Sequence, residues 1–591
     1  MKKLFHIIAL LSVSLVFCQN DASLAENYFR QGEYKKASQM FRSLQKENPF
    51  NTRYLKRLIA CLQETDEYPE AEKILKQKLL ENPTQKYLHV EIGFNYDRQQ
   101  KNKLAKEEYS LAIEAIKSNP GIGGVVGGMF QENNLLDLAI EAYSMTMALN
   151  KNLNYEFQIA RIYGEKGDVE KMFDSYIKLI DKNENNIENV QRWISGYIND
   201  DGSSKNNVAL KKSLLKTSAS NPKNVWNELL SWLFTKQKEY GKAFIQEKAL
   251  FIRDPKFINT ISRLAKIAYE DRDYRVAKKC FTFLLENTNF IEEKLIAELY
   301  LLKIAIKTAD IDCVHLFEKT LEKYGVNSNS IEIQILFSDY LIFQKNNPPK
   351  AIDVLEDALS FSKNKFLSAQ IKLKLGEAHV FLGSFNKALL YFSQVQTKLK
   401  NHPLSQQARF KVAQTSYFKG DFKWAKSQLK ILKGSTTQLI ANDAVDLFLI
   451  ISDNESKDSI SSSGLTNFAK ADLLAYQNRT DEAISIYSLL LKKYQGQPIE
   501  DEVLFNQANL FITKKQYEKA ISNLLKIISI DAYGILVDDS YYLLAETYKN
   551  NIKNFEKATE YYQKIIFEKP SSIYLVDARR KYREIRGDAI N

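Results

Sequence analysis

The residues Gly-Glu-Tyr-Lys-Lys-Ala at positions 32–37, followed by Phe41 and then by Asn48-Pro49, decide the fold. They predict a tight turn at Gly32 and a helix that starts just after it. The small side chain of Ala37 lets this helix approach the preceding helix closely, and Phe41 fills the groove toward the next helix pair. Pro49 marks the end of the second helix, since proline cannot continue it.

The same small-residue position recurs along the chain, about every 34 residues at first and about every 36–38 residues later. Two antiparallel helices with two tight turns use about that length. A single helical hairpin cannot bury its apolar face alone, so the hairpins must stack on one another. The position is occupied by Ala37, Ala71, Ala105, Ala139, Met172, Ala243, Ala277, Cys313, Ala351, Ala388, Ala425, Ala483, Ala520 and Ala558.

The composition agrees with a helical repeat. Of 591 residues, 45% are hydrophobic and 26% charged, which is typical of a folded protein. With 21 glycines and 11 prolines, the chain lacks the turn residues that a large β-rich fold consumes. The sequence therefore predicts an all-α protein.

The repeat resembles the tetratricopeptide repeat (TPR) family. The matching patterns include Ala25, Tyr28, Gly32, Tyr34, Ala37, Phe41 and Pro49 in the first unit, and Phe555, Ala558, Tyr562 and Pro570 in the last. The resemblance covers nearly all of residues 20–570. It implies a right-handed α-solenoid, or superhelix, of about 14–15 helix-turn-helix units. It also implies that the first helix of each unit lines a concave face.

The longer units over roughly residues 365–583 are similar to repeats of gram-negative envelope proteins. Examples are the outer-membrane assembly lipoprotein with such repeats and the periplasmic Tol-Pal cell-division coordinator. This resemblance implies a cell-envelope compartment.

Two irregular intervals and the chain ends suggest the domain organisation. A long interval before Ala243 contains a degenerate repeat whose small residue is Ala209, and a second holds one extra helix, Leu439–Ile451. The predicted segments are a signal peptide (1–18), an N-terminal array (20–190), a degenerate repeat (191–222), a middle array (223–364), a C-terminal array with an extra helix (365–452), a polar loop or hinge (453–464), the last repeats (465–570), and a capping helix and tail (571–591).

The N-terminus predicts export. Lys2 and Lys3 precede an apolar run, Leu4–Phe17, that is too short to span a bilayer and is typical of a secretory signal. Cleavage after Cys18 gives a secreted protein, whereas lipidation of Cys18 gives a lipoprotein. The sequence leaves both open, and either one predicts a periplasmic or outer-membrane-associated protein.

No residue pattern in the sequence points to catalysis or to a cofactor. Phosphate loops, dinucleotide-binding loops and zinc-binding helices are missing, and Gly121–Gly128 lacks the strand and the Lys-Ser/Thr that a phosphate loop needs. We interpret those glycines as allowing close helix packing, and Cys313, two residues before His315, as a small apolar side chain. The net charge of +11 permits acidic partners, yet no block of like charges predicts nucleic-acid binding. We expect no enzyme activity, cofactor, metal or small-molecule substrate.

The predicted function is therefore a non-catalytic protein–protein interaction scaffold of the bacterial cell envelope, which binds a protein or peptide, including an acidic one, in the concave groove. The alternative is a periplasmic assembly factor or chaperone for outer-membrane or secreted proteins. The family's clamp for acidic C-terminal tails is not predicted, since Ala22 and Glu26 occupy its Lys and Asn positions. Aromatic and basic residues predicted on the concave face are Phe29, Arg30, Phe94, Arg98, Arg161, Trp232, Lys266, Tyr269, Phe381, Tyr417, Phe418 and Tyr476.

Overall fold

The protein is an all-α solenoid built from helical hairpins. The computed structural model describes residues 21–308, 312–434, 438–454 and 459–588, and these residues include no β-strand. The predicted signal peptide and Cys18 lie outside them. In each hairpin we call the first helix A and the second helix B. The chain divides into two compact units, Met1–Pro255 (unit 1) and Lys256–Asn591 (unit 2).

Unit 1 contains seven hairpins among its described residues. Short 3-10 turns at Pro120–Ile122, Glu184–Asn186 and Ser195–Tyr197 flank some of them. Its helices are α1 (21–30), α2 (Tyr34–Glu47), α3 (Thr52–Glu64), α4 (Tyr68–Glu81), α5 (Leu88–Asp97), α6 (Asn102–Ser118), α7 (Gly123–Glu132), α8 (Leu136–Leu149), α9 (Glu156–Glu165), α10 (Val169–Lys182), α11 (Ile187–Ile194), α12 (Lys205–Ser220), α13 (Asn224–Lys236) and α14 (Tyr240–Arg253).

Unit 2 contains eight hairpins in the described part of the chain, an extra helix (α25) and a terminal helix (α32). A 3-10 turn, Pro255–Phe257, precedes α15, and a π-helical turn, Thr547–Ile552, follows α30. Its helices are α15 (Ile258–Glu270), α16 (Tyr274–Asn287), α17 (Ile291–Thr308), α18 (Val314–Tyr324), α19 (Ile331–Phe343), α20 (Pro348–Phe361), α21 (Lys365–Phe381), α22 (Phe385–Lys398), α23 (Pro403–Lys419), α24 (Phe422–Leu432), α25 (Gln438–Asn454), α26 (Ser459–Tyr476), α27 (Thr480–Lys493), α28 (Ile499–Thr513), α29 (Tyr517–Ile530), α30 (Val537–Glu546), α31 (Phe555–Glu568) and α32 (Leu575–Arg586).

The small-residue position is the contact point of each hairpin. All fourteen residues that the sequence analysis places there are at most 1% exposed. Ala209, assigned to this position in the degenerate hairpin, is the exception, because it is only half-buried. Asn207 is fully buried instead, and its Nδ2 donates hydrogen bonds to the main-chain oxygens of Asn199 (2.9 Å) and Asp201 (2.7 Å). A polar side chain thus anchors the long loop of this hairpin.

A left-handed residue lies five positions before the small residue in thirteen of the described hairpins. This conformation lets helix A turn back into helix B within three or four residues. Glycine adopts it without steric cost, but nine of the thirteen are other residues, for which a positive φ is unfavourable. The residues are Gly32, Asp66, Gln100, Asn134, Gly167, Lys238, Arg272, Asn346, Gly383, Gly420, Asn478, Lys515 and Lys553.

The segment boundaries differ from those predicted at two places. Helix α26 begins at Ser459, so the second half of the predicted 453–464 loop is helical, because the buried residues Leu465 and Phe468 anchor a helix that continues back over a further turn. Residues 455–458 lie outside the described part. The boundary between the two compact units, at Pro255, falls inside the predicted middle array.

Candidate functional site

An apolar groove crosses three A helices of unit 1. It is a cavity of about 550 Å³ between α3, α5 and α7, and we call it the unit-1 groove. Most of its surface is aliphatic, and its polar groups lie on α3, α5 and α7. The residues that line it are Thr52, Arg53, Leu55, Lys56, Ile59, Leu75, Tyr87, Leu88, Glu91, Gly124, Val125, Gly128, Met129 and Glu132.

The glycines of α7 shape one wall of this groove. A methyl group at Gly127 would lie 2.5 Å from a ring carbon of Tyr143, and one at Gly123 would overlap Thr146. These two glycines therefore permit close packing of α7 on α8, as the sequence predicts. Gly128 differs, because a methyl group there would lie 3.8 Å from the Tyr143 hydroxyl, an ordinary contact. The missing side chain at Gly128 thus leaves room in the groove.

Charged side chains from α3 and α7 meet beside the groove. Lys56 on α3 forms an ion pair with Glu132 on α7, although α5 lies between these helices in the chain. Glu91 of α5 is 8% exposed, and its burial raises the pKa of its carboxyl group despite the nearby positive charge of Lys56. Burial likewise lowers the pKa of Lys56. A partner that placed a charge beside Glu91, or that separated Lys56 from Glu132, would therefore change the pKa values of Glu91 and Lys56.

The arrangement of the groove suits an apolar side chain of another protein. Val125 lines the groove and is 49% exposed. Leu55, Ile59 and Leu88 are buried behind it. Burying such a surface against a partner is favourable by about 25 cal/mol per Å².

None of the twelve residues predicted on the concave face lines the unit-1 groove. Arg30, Arg98, Arg161 and Lys266 are exposed, whereas Phe29, Phe94, Trp232, Tyr269, Phe381, Phe418 and Tyr476 are half-buried. Tyr417 is only 2% exposed, so it offers little surface to a partner. Its hydroxyl donates a hydrogen bond to Asp472, which draws the ring into the core.

Most of the predicted residues contact their own unit and not one another. The guanidinium of Arg57 lies 4.3 Å from the centre of the Phe29 ring, and Arg98 pairs with Glu64 at 3.2 Å. Arg161 lines a separate cavity of about 510 Å³ together with Trp193. The predicted positions thus lie toward the C-terminal ends of the A helices and are not among the residues that line the groove.

Four aromatic residues of unit 2 are brought together, and we call them the aromatic cluster: Phe343, Phe381, Phe418 and Tyr476. Ring-centre distances are 6.1 Å for Phe343–Phe381, 5.5 Å for Phe343–Tyr476 and 5.8 Å for Phe418–Tyr476. Three of the four are predicted surface residues, and Phe343 was missed. Its signal was an aromatic at the end of helix A, as in the other three helices. These rings pack against one another, and Phe418 and Tyr476 also line a cavity against α25.

An ion-pair network borders the aromatic cluster. Lys374 contacts Asp339 (2.5 Å) and Glu377 (2.8 Å), and Lys411 contacts Glu377 (3.1 Å). Burial by itself would raise the pKa of Glu377, but Lys411 and Lys374 outweigh it and the pKa is lowered. The network ties α19, α21 and α23 together on their inner side.

The remaining candidates for chemistry are structural. Cys61, Cys280 and Cys313 are buried thiols that form no disulfide among the described residues. The Cys313 main-chain N–H donates a hydrogen bond to the Tyr340 hydroxyl (3.1 Å), so this cysteine packs at the start of α18. Within the described ranges, no group of three or more His, Cys, Asp or Glu is placed to hold a metal ion. No helix described there has the length and apolar character to cross a membrane.

Comparison with known proteins identifies TPR units directly. Residues 23–51, 468–534 and 538–570 each match a family model described as tetratricopeptide repeat. A TPR repeat-containing protein of Methanocaldococcus jannaschii is 26% identical over 189 residues, which are 29% of this chain and 32% of the relative. The chain thus spans about a third of the length of the curated relative that it matches.

Two solved structures align with most of the chain at low similarity. One is Naa15/Naa10 bound to HypK-THB, at 13% identity, 90% of this chain, 96% of that chain and a TM-score of 0.25. The other is the APC/C hetero-tetramer Cut9–Hcn1, at 14% identity, 87% of this chain, 94% of that chain and a TM-score of 0.27. The TPR units in both parts of the chain confirm the predicted repeat type, and such repeats support a protein–protein interaction scaffold.

Proposed function

We propose that this protein is a non-catalytic scaffold that binds a segment of a partner protein in the unit-1 groove. The observation that carries the proposal is the aliphatic lining of the groove, open to solvent at Val125 and widened by Gly128. Helical or extended peptides commonly bind to repeat proteins through one or two apolar anchors in such a groove.

The chemistry of the groove indicates the type of segment. An aliphatic or aromatic anchor would occupy the space beside Gly128 and Val125. Its flanking residues would face Arg53 and Lys56 on α3 and Glu132 on α7. An acidic residue beside the anchor would compete for Arg53 with Glu26, whose Oε1 lies 2.9 Å from the guanidinium. Displacement of Lys56 from Glu132 would likewise cost part of the gain.

The proposed location is the periplasm or the outer membrane of a gram-negative cell. Its support is the basic, then apolar N-terminal stretch and the similarity of the longer repeats to envelope proteins. Secretion and lipidation at Cys18 give different mature N-termini. Mass spectrometry of the protein from the membrane and soluble fractions separates them, since a lipidated Cys18 would be the first residue and would carry acyl mass.

Site-specific photo-cross-linking tests the groove. A photoreactive residue at position 125 should give a discrete adduct with the partner in cells. The matched control is position 149 on α8, because Leu149 is also 49% exposed but does not line the groove. The additional change Gly128→Leu, which fills the groove, should abolish the adduct at 125. An adduct of equal yield at both positions, or one that persists in Gly128→Leu, would exclude the groove as the binding site.

The alternative is a periplasmic assembly factor or chaperone. The observation that favours it is the apolar part of the lining, formed by Leu55, Ile59, Leu75, Leu88, Val125 and Met129, which can accept different apolar side chains. This alternative predicts that the protein suppresses aggregation of several unrelated unfolded outer-membrane proteins, with Gly128→Leu weakening the effect. If the protein suppressed the aggregation of none of them, the chaperone alternative would be contradicted and the scaffold with a dedicated partner would remain.

A further inference from the structure

A second cavity, in unit 2, combines aromatic rings with carboxylates. Its volume is about 430 Å³, and α23, α25 and α26 form its walls. The rings of Tyr417, Phe418 and Tyr476 lie on one side. Asp443 and Asp446 from α25 and Asp472 from α26 supply the charge. We call it the carboxylate cavity.

The cavity exists because α25 interrupts the repeat. Each A helix of unit 2 is followed directly by its own B helix. Helix α25 belongs to no hairpin and lies in the chain between α24 and the next hairpin, which starts with α26. Asp443 and Asp446 are three residues apart on this helix, so they lie on the same face. Both are exposed and both line the cavity. The inserted helix thus presents two negative charges to the aromatic wall.

Asp472 is held in place by neutral donors. The Tyr417 hydroxyl donates to its Oδ2 (2.6 Å), and Asn506 Nδ2 (3.0 Å) and the Tyr487 hydroxyl donate to its Oδ1. No lysine or arginine of the described ranges forms an ion pair with Asp443, Asp446 or Asp472. Burial accordingly raises the pKa of Asp472. A carboxylate whose hydrogen-bond donors are all neutral has no counter-ion in the protein, so it attracts a cation from outside.

The rings add attraction for the same kind of ligand. Aromatic faces favour ammonium groups within about 6 Å of the ring centre. The Phe418 and Tyr476 ring centres are 5.8 Å apart, and Tyr476 already has an internal cation, the Lys411 ammonium, 5.9 Å from its centre. Lys411 is held by Glu377 and does not line the cavity, so it leaves the carboxylates available.

From these contacts we propose that the carboxylate cavity binds an alkylammonium group between the aromatic rings and the carboxylates of Asp443, Asp446 and Asp472. The group belongs either to a free polyamine or to a lysine side chain of a bound protein. The chemistry is the same in both cases, namely an ammonium group on a methylene chain. The site lies in unit 2 and does not depend on the unit-1 groove.

Calorimetric titration of the full chain at low ionic strength separates the two sources. One probe is spermidine, and the other is an acetylated, amidated peptide Gly-Gly-Lys-Gly-Gly, with the N-acetyl-lysine peptide as its control. We expect saturable binding of spermidine, of the lysine peptide, or of both. The double variant Asp443→Asn/Asp446→Asn should weaken the binding of the probe at least tenfold. Asp443→Asn and Asp446→Asn are exposed changes, so the fold should be kept, which circular dichroism checks.

The matched control is Asp453→Asn. Asp453 is exposed on the same helix but does not line the cavity, so its loss should change the affinity less than twofold. Phe418→Leu should weaken binding without a change of charge, because only the ring face is lost. No saturable binding of either probe up to about 10 mM would overturn the proposal. So would equal affinity in the double variant and in wild type, since that would place the cation elsewhere.

Discussion

The Nδ2 atom of Asn478 donates a hydrogen bond to the main-chain oxygen of Phe343 at 2.7 Å, across 135 residues of sequence. The neighbouring Gln477 Nε2 donates to the main-chain oxygen of Phe381 at 2.8 Å. The turn after α26 therefore contacts the ends of α19 and α21 directly, although several helices separate them in the chain. Together with the aromatic cluster, these bonds close the inner face of this part of unit 2 on itself.

Replacing Asn478 tests this closure. Asn478→Gly removes the bonds to the Phe343 oxygen and to Asn346 Oδ1 but permits the positive φ of the turn. We expect the free energy of unfolding to fall by about 1 kcal/mol. Asn134→Gly is the control, since Asn134 has the same turn position in unit 1. Equal effects of the two changes in urea unfolding would show that Asn478 acts only through its backbone conformation.

The two neighbouring glycines of α7 predict opposite effects. Gly127→Ala places a methyl group against the Tyr143 ring, so overpacking should destabilise unit 1 by about 1–3 kcal/mol. Gly128→Ala meets no such contact, and the higher helix propensity of alanine should stabilise by up to about 1 kcal/mol. Thermal unfolding of both variants checks the difference. Destabilisation by Gly128→Ala would contradict the open space assigned to this wall of the groove.

The sequence predicted the hairpins and their contact points, because both depend on short-range spacing. Ala243 and Ala520 are fully buried where the repeat places them. The unit-1 groove and the aromatic cluster could not be predicted from the sequence, because they depend on contacts between hairpins. Phe343 on α19 meets Tyr476 on α26, and nothing in the sequence around Phe343 encodes a contact with so distant a part of the chain. The assignment of Ala209 to the small-residue position was wrong, because the long loop before α12 shifts the register of this helix. Asn207 is the buried residue instead.

The small-residue position predicts a matched pair of variants. Ala243→Leu adds three carbon atoms at a fully buried contact between α13 and α14, and we expect a loss of about 1–3 kcal/mol from overpacking. Ala209→Leu should cost less than about 0.5 kcal/mol, because Ala209 is half-buried. Chemical denaturation measures both. A larger decrease in the free energy of unfolding for Ala209→Leu than for Ala243→Leu would mean that Ala209 does occupy the contact position of its hairpin.

The buried thiols should be unreactive in the native protein. Burial raises the pKa of the Cys61 thiol to about 12 from its usual 9.0, which lowers its thiolate fraction about a thousandfold at neutral pH. We expect that Cys61, Cys280 and Cys313 react with a chromogenic disulfide reagent only after unfolding in guanidinium. A variant with serine at position 18 removes that cysteine from the count. Rapid labelling of any of the three in the native state would show that its hairpin opens locally.

Glu91 predicts a pH dependence of stability in unit 1. Its pKa is raised by burial, so in the folded state it keeps its proton to a higher pH than in the unfolded chain, where it ionises near 4.5. Between these two values the unfolded state binds fewer protons, and the free energy of unfolding therefore falls as the pH rises. Glu91→Gln cannot ionise, so it should remove this decrease and stabilise the protein at pH 7 by on the order of 1 kcal/mol.

Glu107→Gln, at an exposed position of α6, is the control and should leave the profile of wild type unchanged. Urea unfolding from pH 4 to pH 8 gives both slopes. A parallel profile for Glu91→Gln and wild type would mean that Lys56 neutralises Glu91 in the folded protein, so that the carboxylate is paired and carries no penalty.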